Sequence, residues 1–95
     1  MPTYVCLLRF TDQGARAIKK STARAGAFAK AAARKGVNVE SQLWTTGAYD
    51  GVLVLSADDE IPILHWLAEL TAAGNVRTES MRAFDASQFG KISGR

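Results

Sequence analysis

Cysteine occurs once among the 95 residues, at Cys6, so no intrachain disulfide can staple the fold and the chain suits a reducing compartment. Histidine also occurs once, at His65, and proline twice, at Pro2 and Pro62. A lone Cys, and a lone His whose sole carboxylate at ligand spacing is Glu69, argue against a metal centre. No run of apolar residues approaches the ~20 that a membrane-spanning helix needs. Met1-Pro2-Thr3-Tyr4 carries no basic segment, so no secretory leader is expected and the chain reads as cytoplasmic. Glycine-rich phosphate loops and RNP-type aromatic motifs are missing too, which removes the usual signatures of nucleotide and RNA binding. No organic cofactor is expected.

What is present is an ordinary globular composition, 47% hydrophobic and 22% charged, at a length that suits one domain over 1–95. The net charge of +3 is unevenly spread. From Thr11 to Gly36, seven basic residues face the single acid Asp12, giving +6, while the rest of the chain has five basic and eight acidic residues, giving −3. One surface is therefore basic on a mildly acidic body. Its basic residues are not interleaved with aromatics, so a solvated helix face explains them better than a nucleic-acid site does.

Thr3 to Phe10 is a β-rich apolar run broken only by Arg9, as expected of a central strand with both faces covered. A helix follows with its core stripe at Ala15, Ile18, Thr22, Ala25, Phe28 and Ala32, weakened near Ser21-Thr22 and Gly26 and ended at Gly36. Val37 to Thr46 alternates as an edge strand, and Gly47-Ala48-Tyr49-Asp50-Gly51 turns it into the buried strand Val52 to Leu55. Asp58-Asp59-Glu60 is placed to cap a second helix, with core stripe Ile61, Leu64, Leu67 or Ala68, and Thr71 and a second apolar stripe at Ile63, Trp66 and Leu70. Gly74 stops it. A last strand spans Asn75 to Phe84, and Asp85 caps a short helix to about Ile92, anchored by Phe89.

The order βαββαβ predicts an α+β, ferredoxin-like fold: a four-stranded antiparallel sheet, first and third strands central, two helices on one face, and a short C-terminal helix. Two helices cover one face only. The large apolar residues on the other face predict a homo-oligomer through the sheet, burying Val5, Leu7, Leu53 or their neighbours.

Met1-Pro2-Thr3-Tyr4-Val5, Phe10-Thr11-Asp12-Gln13-Gly14, Trp44-Thr45-Thr46-Gly47-Ala48-Tyr49-Asp50 and Gly74-Asn75-Val76-Arg77-Thr78-Glu79 with Arg82-Ala83-Phe84 together resemble the GYD domain family. Its name refers to Gly-x-Tyr-Asp, here Gly47, Tyr49 and Asp50. The resemblance spans nearly the whole chain, implies a ferredoxin-like oligomer of the dimeric α/β barrel type, and brings no assigned activity with it. It departs in the first helix, where Gly26 and several alanines replace bulkier or acidic residues.

Candidate site residues gather at the turn. Tyr49 as donor, Asp50 as acceptor or base, and Trp44 and Thr46 beside them can form a small-molecule pocket, with Arg9 as anchor for an anionic ligand or as partner of Glu79, Glu40 or Asp50. Otherwise Asp50 bonds backbone N–H groups, Gly47 or Gly51 supplies a positive φ, and Tyr49 packs on the sheet. His65 and Glu69, at i and i+4, form a second candidate base with its orienting partner. Cys6 reads as a buried small hydrophobe. Two functions remain open: a small-molecule-binding homo-oligomer, with Asp50, Tyr49 and His65 as catalytic candidates if it is an enzyme, and an interaction or structural module.

Overall fold

A computed structural model describes residues 1–94 of the protein. Its elements are β1 (Thr3–Phe10), α1 (Asp12–Arg16), a 3-10 turn (Ile18–Lys20), α2 (Ser21–Arg34), β2 (Asn38–Trp44), β3 (Gly51–Ser56), α3 (Glu60–Ala72), β4 (Val76–Ala83) and α4 (Ala86–Ile92). The four strands form one antiparallel sheet in the order β2-β3-β1-β4, with β1 and β3 central. This is the expected ferredoxin-like topology.

Strand alternation divides the sheet. Cys6 pairs with Leu53 and Tyr4 with Leu55, and these residues face the helices, where Cys6, Leu53 and Leu55 form the buried core with Ala32, Val37, Ala57, Ile63 and Leu67. Val5, Leu7, Val52 and Val54 lie on the opposite, helix-free face and are only half-buried. Leu53 therefore belongs to the covered core, and its neighbours Val52 and Val54 occupy the place expected for it on the open face.

The expected first helix is two. Thr11 Oγ1 accepts from Gly14 N (3.1 Å) and donates to the Gly74 carbonyl (2.7 Å), while Gln13 Nε2 donates to Ala73 O and Asn75 Oδ1 (3.0 Å each). Those bonds tie α1 to the α3–β4 turn, and the backbone leaves helical geometry at Ala17 (φ −106°, ψ 27°) before α2 starts over the sheet. The break therefore precedes Ser21, and Gly26 sits inside unbroken helix. Rephasing leaves Ala15, Ile18 and Thr22 exposed, with Ala25, Phe28 and Ala32 inward.

Two other phases differ from expectation. A bulge between Val39 and Ser41 shifts the register of β2, so Val39 pairs with Leu55 on the helix side while Leu43 pairs with Val52 and is 58% exposed on the open side. Beyond the bulge Gln42 and Trp44 face the helices. In α3 the second apolar stripe is the inner one: Ile63 and Leu67 are buried with Trp66 and Leu70 packed on them, whereas Ile61 is 65% exposed and Leu64 also points outward. A helix apolar all round gives no phase by itself.

The acids before α3 do not cap it. Asp59 occupies the N-cap without a side-chain bond, and Glu60 Oε1 accepts the Tyr4 hydroxyl at 2.8 Å. At α4 the cap is as expected, Asp85 and Gln88 forming a reciprocal capping box, but Phe89 is 58% exposed and lies outside the buried core.

Gly14 and Gly26 make a direct test of these contacts. A Cβ at Gly14 would lie 2.0 Å from the Asn75 backbone oxygen, whereas one at Gly26 meets nothing within 4 Å. Chemical denaturation of Gly14→Ala should show a loss of about 2–3 kcal/mol, and Gly26→Ala a gain of about 0.5–1 kcal/mol.

Candidate functional site

The β2–β3 turn is organised by Asp50. Its backbone N–H donates to Leu8 O (2.8 Å), its Oδ2 accepts the Phe10 N–H (2.8 Å), and its carbonyl accepts the Thr45 N–H (2.9 Å). The residue thereby extends the β1–β3 ladder by a side chain. Thr45 Oγ1 closes the loop on Tyr49 O (2.7 Å), and Gly47 takes the left-handed conformation (φ 105°) that a side chain would strain. Gly47, not Gly51, is the turn glycine. Thr46 is exposed at the tip.

The expected site residues separate onto two faces. Arg9 and Tyr49 lie together on the open side: the Arg9 guanidinium stacks over the Tyr49 ring at 4.5 Å, Arg9 Nε donates to Ala48 O (3.0 Å), and the Tyr49 hydroxyl donates to Glu79 Oε1 (2.8 Å). Arg9 therefore takes an aromatic ring and a carbonyl where an ion pair with Glu79, Glu40 or Asp50 was expected. The bond to Glu79, strengthened by that carboxylate's charge, holds the Tyr49 hydroxyl protonated above the ordinary phenol range. With Leu7 and Arg77 these groups line a shallow depression of about 70 Å³.

Trp44 and Asp50 lie on the other side, at a cavity of about 300 Å³ between α2, α3 and the end of the sheet. Leu8, Phe10, Leu53 and Val76 from the sheet, Ala25 and Phe28 from α2, and Trp66 and Leu70 from α3 supply its apolar lining. Phe28 and Trp66 meet edge to face at 5.9 Å across the two helices, and the Trp66 indole N–H is buried without a hydrogen-bond partner among the described residues. Trp44 Nε1 donates to Ser21 Oγ (2.9 Å) and Gln42 Nε2 to Ala25 O (3.0 Å), joining β2 to the start of α2. Arg24, Glu69 and Asn75 supply further polar lining.

His65 is separate from the turn. It is exposed on α3 and packs edge-on against Trp66 (5.4 Å), while Glu69 lines the cavity. Cys6 is fully buried, burial pushes its thiol pKa up, and Ser80 Oγ donates to its sulfur (3.5 Å). Among the described residues no three His, Cys, Asp or Glu side chains gather as a metal site requires.

Arg24, Gln42, Phe28 and Trp66 line the cavity although no motif at the turn points to them, and Glu69, expected as the partner of His65, lines it instead. Arg24 and Glu69 carry a sequence signal: a base in the first turn of one helix and an acid in the last turn of another, each against the usual preference. The role of Asp50 gives a direct expectation. Asp50→Ala strands the Phe10 N–H and should cost about 1–3 kcal/mol in chemical denaturation, whereas Tyr49→Phe, on an exposed bond, should stay within about 0.5 kcal/mol of wild type.

Similarity to known proteins extends over most of the chain. It is 32% identical over 84 residues, 87% of its length and 88% of the relative's, to a Thermus thermophilus protein named glutamine synthetase and cystathionine beta-lyase binding protein. It is 26% identical to a protein of Thermus thermophilus whose crystal structure is known, covering 90% of this chain and 96% of that one, with a TM-score of 0.47. The family model for the GYD domain matches residues 4–93, and the chain belongs to the GYD domain family.

Proposed function

We propose that this GYD domain protein is a cytoplasmic binding protein that holds a small molecule in the cavity beside the Gly-x-Tyr-Asp turn and works as a homo-oligomer. The observation that carries the first half is the cavity of about 300 Å³, apolar along the sheet and helices and polar where Trp44, Asp50, Arg24 and Glu69 reach it. Of the residues expected at a ligand, Trp44 and Asp50 belong to this cavity. Arg9 and Tyr49 belong to the open face, where their stacking and the Glu79 bond orient charges toward whatever covers the sheet.

A second reading, a module that binds other proteins, is favoured by the name of the Thermus thermophilus relative. The open face supports it as well as it supports self-association. Val5, Leu7, Val52 and Val54 form its centre, and Leu43 and Met81, 58% and 45% exposed, flank them on the outer strands. A second copy is the simplest cover, because one two-fold contact hides the same patch on both chains.

Both halves are open to measurement. In a fragment mixture followed by NMR, binding should move the indole N–H signals of Trp44 and Trp66; hits confined to the Arg9–Tyr49 face, or none, would remove the cavity reading. Sedimentation should show an oligomer at micromolar concentration, and the double variant Leu43→Lys, Met81→Lys should sediment as a folded monomer, since both side chains are exposed in the single chain. A monomeric wild type overturns the oligomer.

A further inference from the structure

Ser21 and Arg24 come from the first turn of α2, and Glu69 and Ala73 from the end of α3, yet all four line one cavity. The positive end of one helix dipole thus meets the negative end of the other across the same space. Helices are ordinarily stabilised by acids in the first turn and bases in the last. Here α2 has no acid in its first turn and no side-chain bond from its N-cap, and α3 has no base in its last turn. Arg24 and Glu69 occupy those turns instead, each reinforcing the sign of its own helix end.

Such a placement works against helix stability, and the two charges do not relieve each other. Arg24 Nη1 donates to Ala17 O (2.9 Å), and Glu69 accepts no side-chain hydrogen bond among the described residues. Asp50 spends Oδ2 on the Phe10 N–H, leaving Oδ1 without a protein partner among the described residues. The cavity lining therefore carries a positive group at the α2 start, a negative one at the α3 end and a second at Asp50 in the β2–β3 turn, together with the aromatic and aliphatic surface of Phe28, Trp66 and Leu70.

Resting on the cavity reading above, we infer that the ligand is a small zwitterion of amino-acid type with an apolar side chain. Its carboxylate meets Arg24 and the start of α2, and its ammonium meets Glu69, the free oxygen of Asp50 and the end of α3. Its side chain lies against Phe28 and Trp66. A volume of about 300 Å³ is at the lower end for small-molecule sites, which suits a ligand of this size.

The test uses the full chain and the fluorescence of Trp44 and Trp66, its two tryptophans. The probes are L-phenylalanine, 3-phenylpropionate, 2-phenylethylamine and 2-phenylethanol. L-Phenylalanine should bind about tenfold tighter than either singly charged analogue, the loss expected for one charge-assisted contact. Arg24→Gln and Glu69→Gln should each weaken it by about tenfold, and Glu69→Gln, which breaks no side-chain hydrogen bond, should leave the unliganded melting temperature unchanged or higher. Equal binding of a singly charged analogue, or full binding by both variants, overturns the inference. Binding of 2-phenylethanol without L-phenylalanine also overturns it and leaves the cavity reading standing; silence from all four probes removes both.

Discussion

A strand places alternate side chains on opposite faces, and in β1 both sets are apolar. Cys6, Leu8 and Phe10 face the helices, and Val5 and Leu7 face away, so a four-stranded sheet built around β1 needs cover on two sides. This chain has helices for one. The rest of the molecule follows from that asymmetry: a core that is complete only beneath α2 and α3, an apolar sheet face that no helix covers, and a turn whose residues are shared between the two.

The helix layer is itself uneven. Midway along both helices the Phe28–Trp66 contact bridges α2 and α3, and the cavity lies between these helices and the sheet, reaching to the α2 start and the α3 end. The helix that would have continued from α1 is diverted at Ala17, because Thr11, Gln13 and Gly14 are held against the α3–β4 turn. The same diversion brings the start of α2, with Ser21 and Arg24, to the cavity.

Much of the fold was legible because it rests on local rules. Gly36 and Gly74 adopt the left-handed conformation at helix ends, Gly47 does so in the hairpin turn, and Asp85 caps α4 with Gln88. Helix phase was less legible. The α3 sequence is apolar on two stripes, and only packing against Cys6, Leu53 and Leu55 selects Ile63 and Leu67 over Ile61 and Leu64. The candidate site was legible as a neighbourhood and not as a constellation. Residues adjacent in Tyr49-Asp50 point to opposite sides of the sheet, and the bulge at Val39/Ser41 decides that Trp44 joins Asp50 while Leu43 does not.

The order of elements, the central place of β1, the turn within Gly47 to Gly51 and the bareness of one sheet face were determined by the sequence, since each depends on backbone sterics or on counting apolar faces. Tertiary structure alone decided which charges line one cavity. Arg24 and Glu69 are 45 positions apart in the chain. They share a cavity because the α2 start and the α3 end are folded over the same end of the sheet, a relation set by long-range packing and carried by neither helix alone.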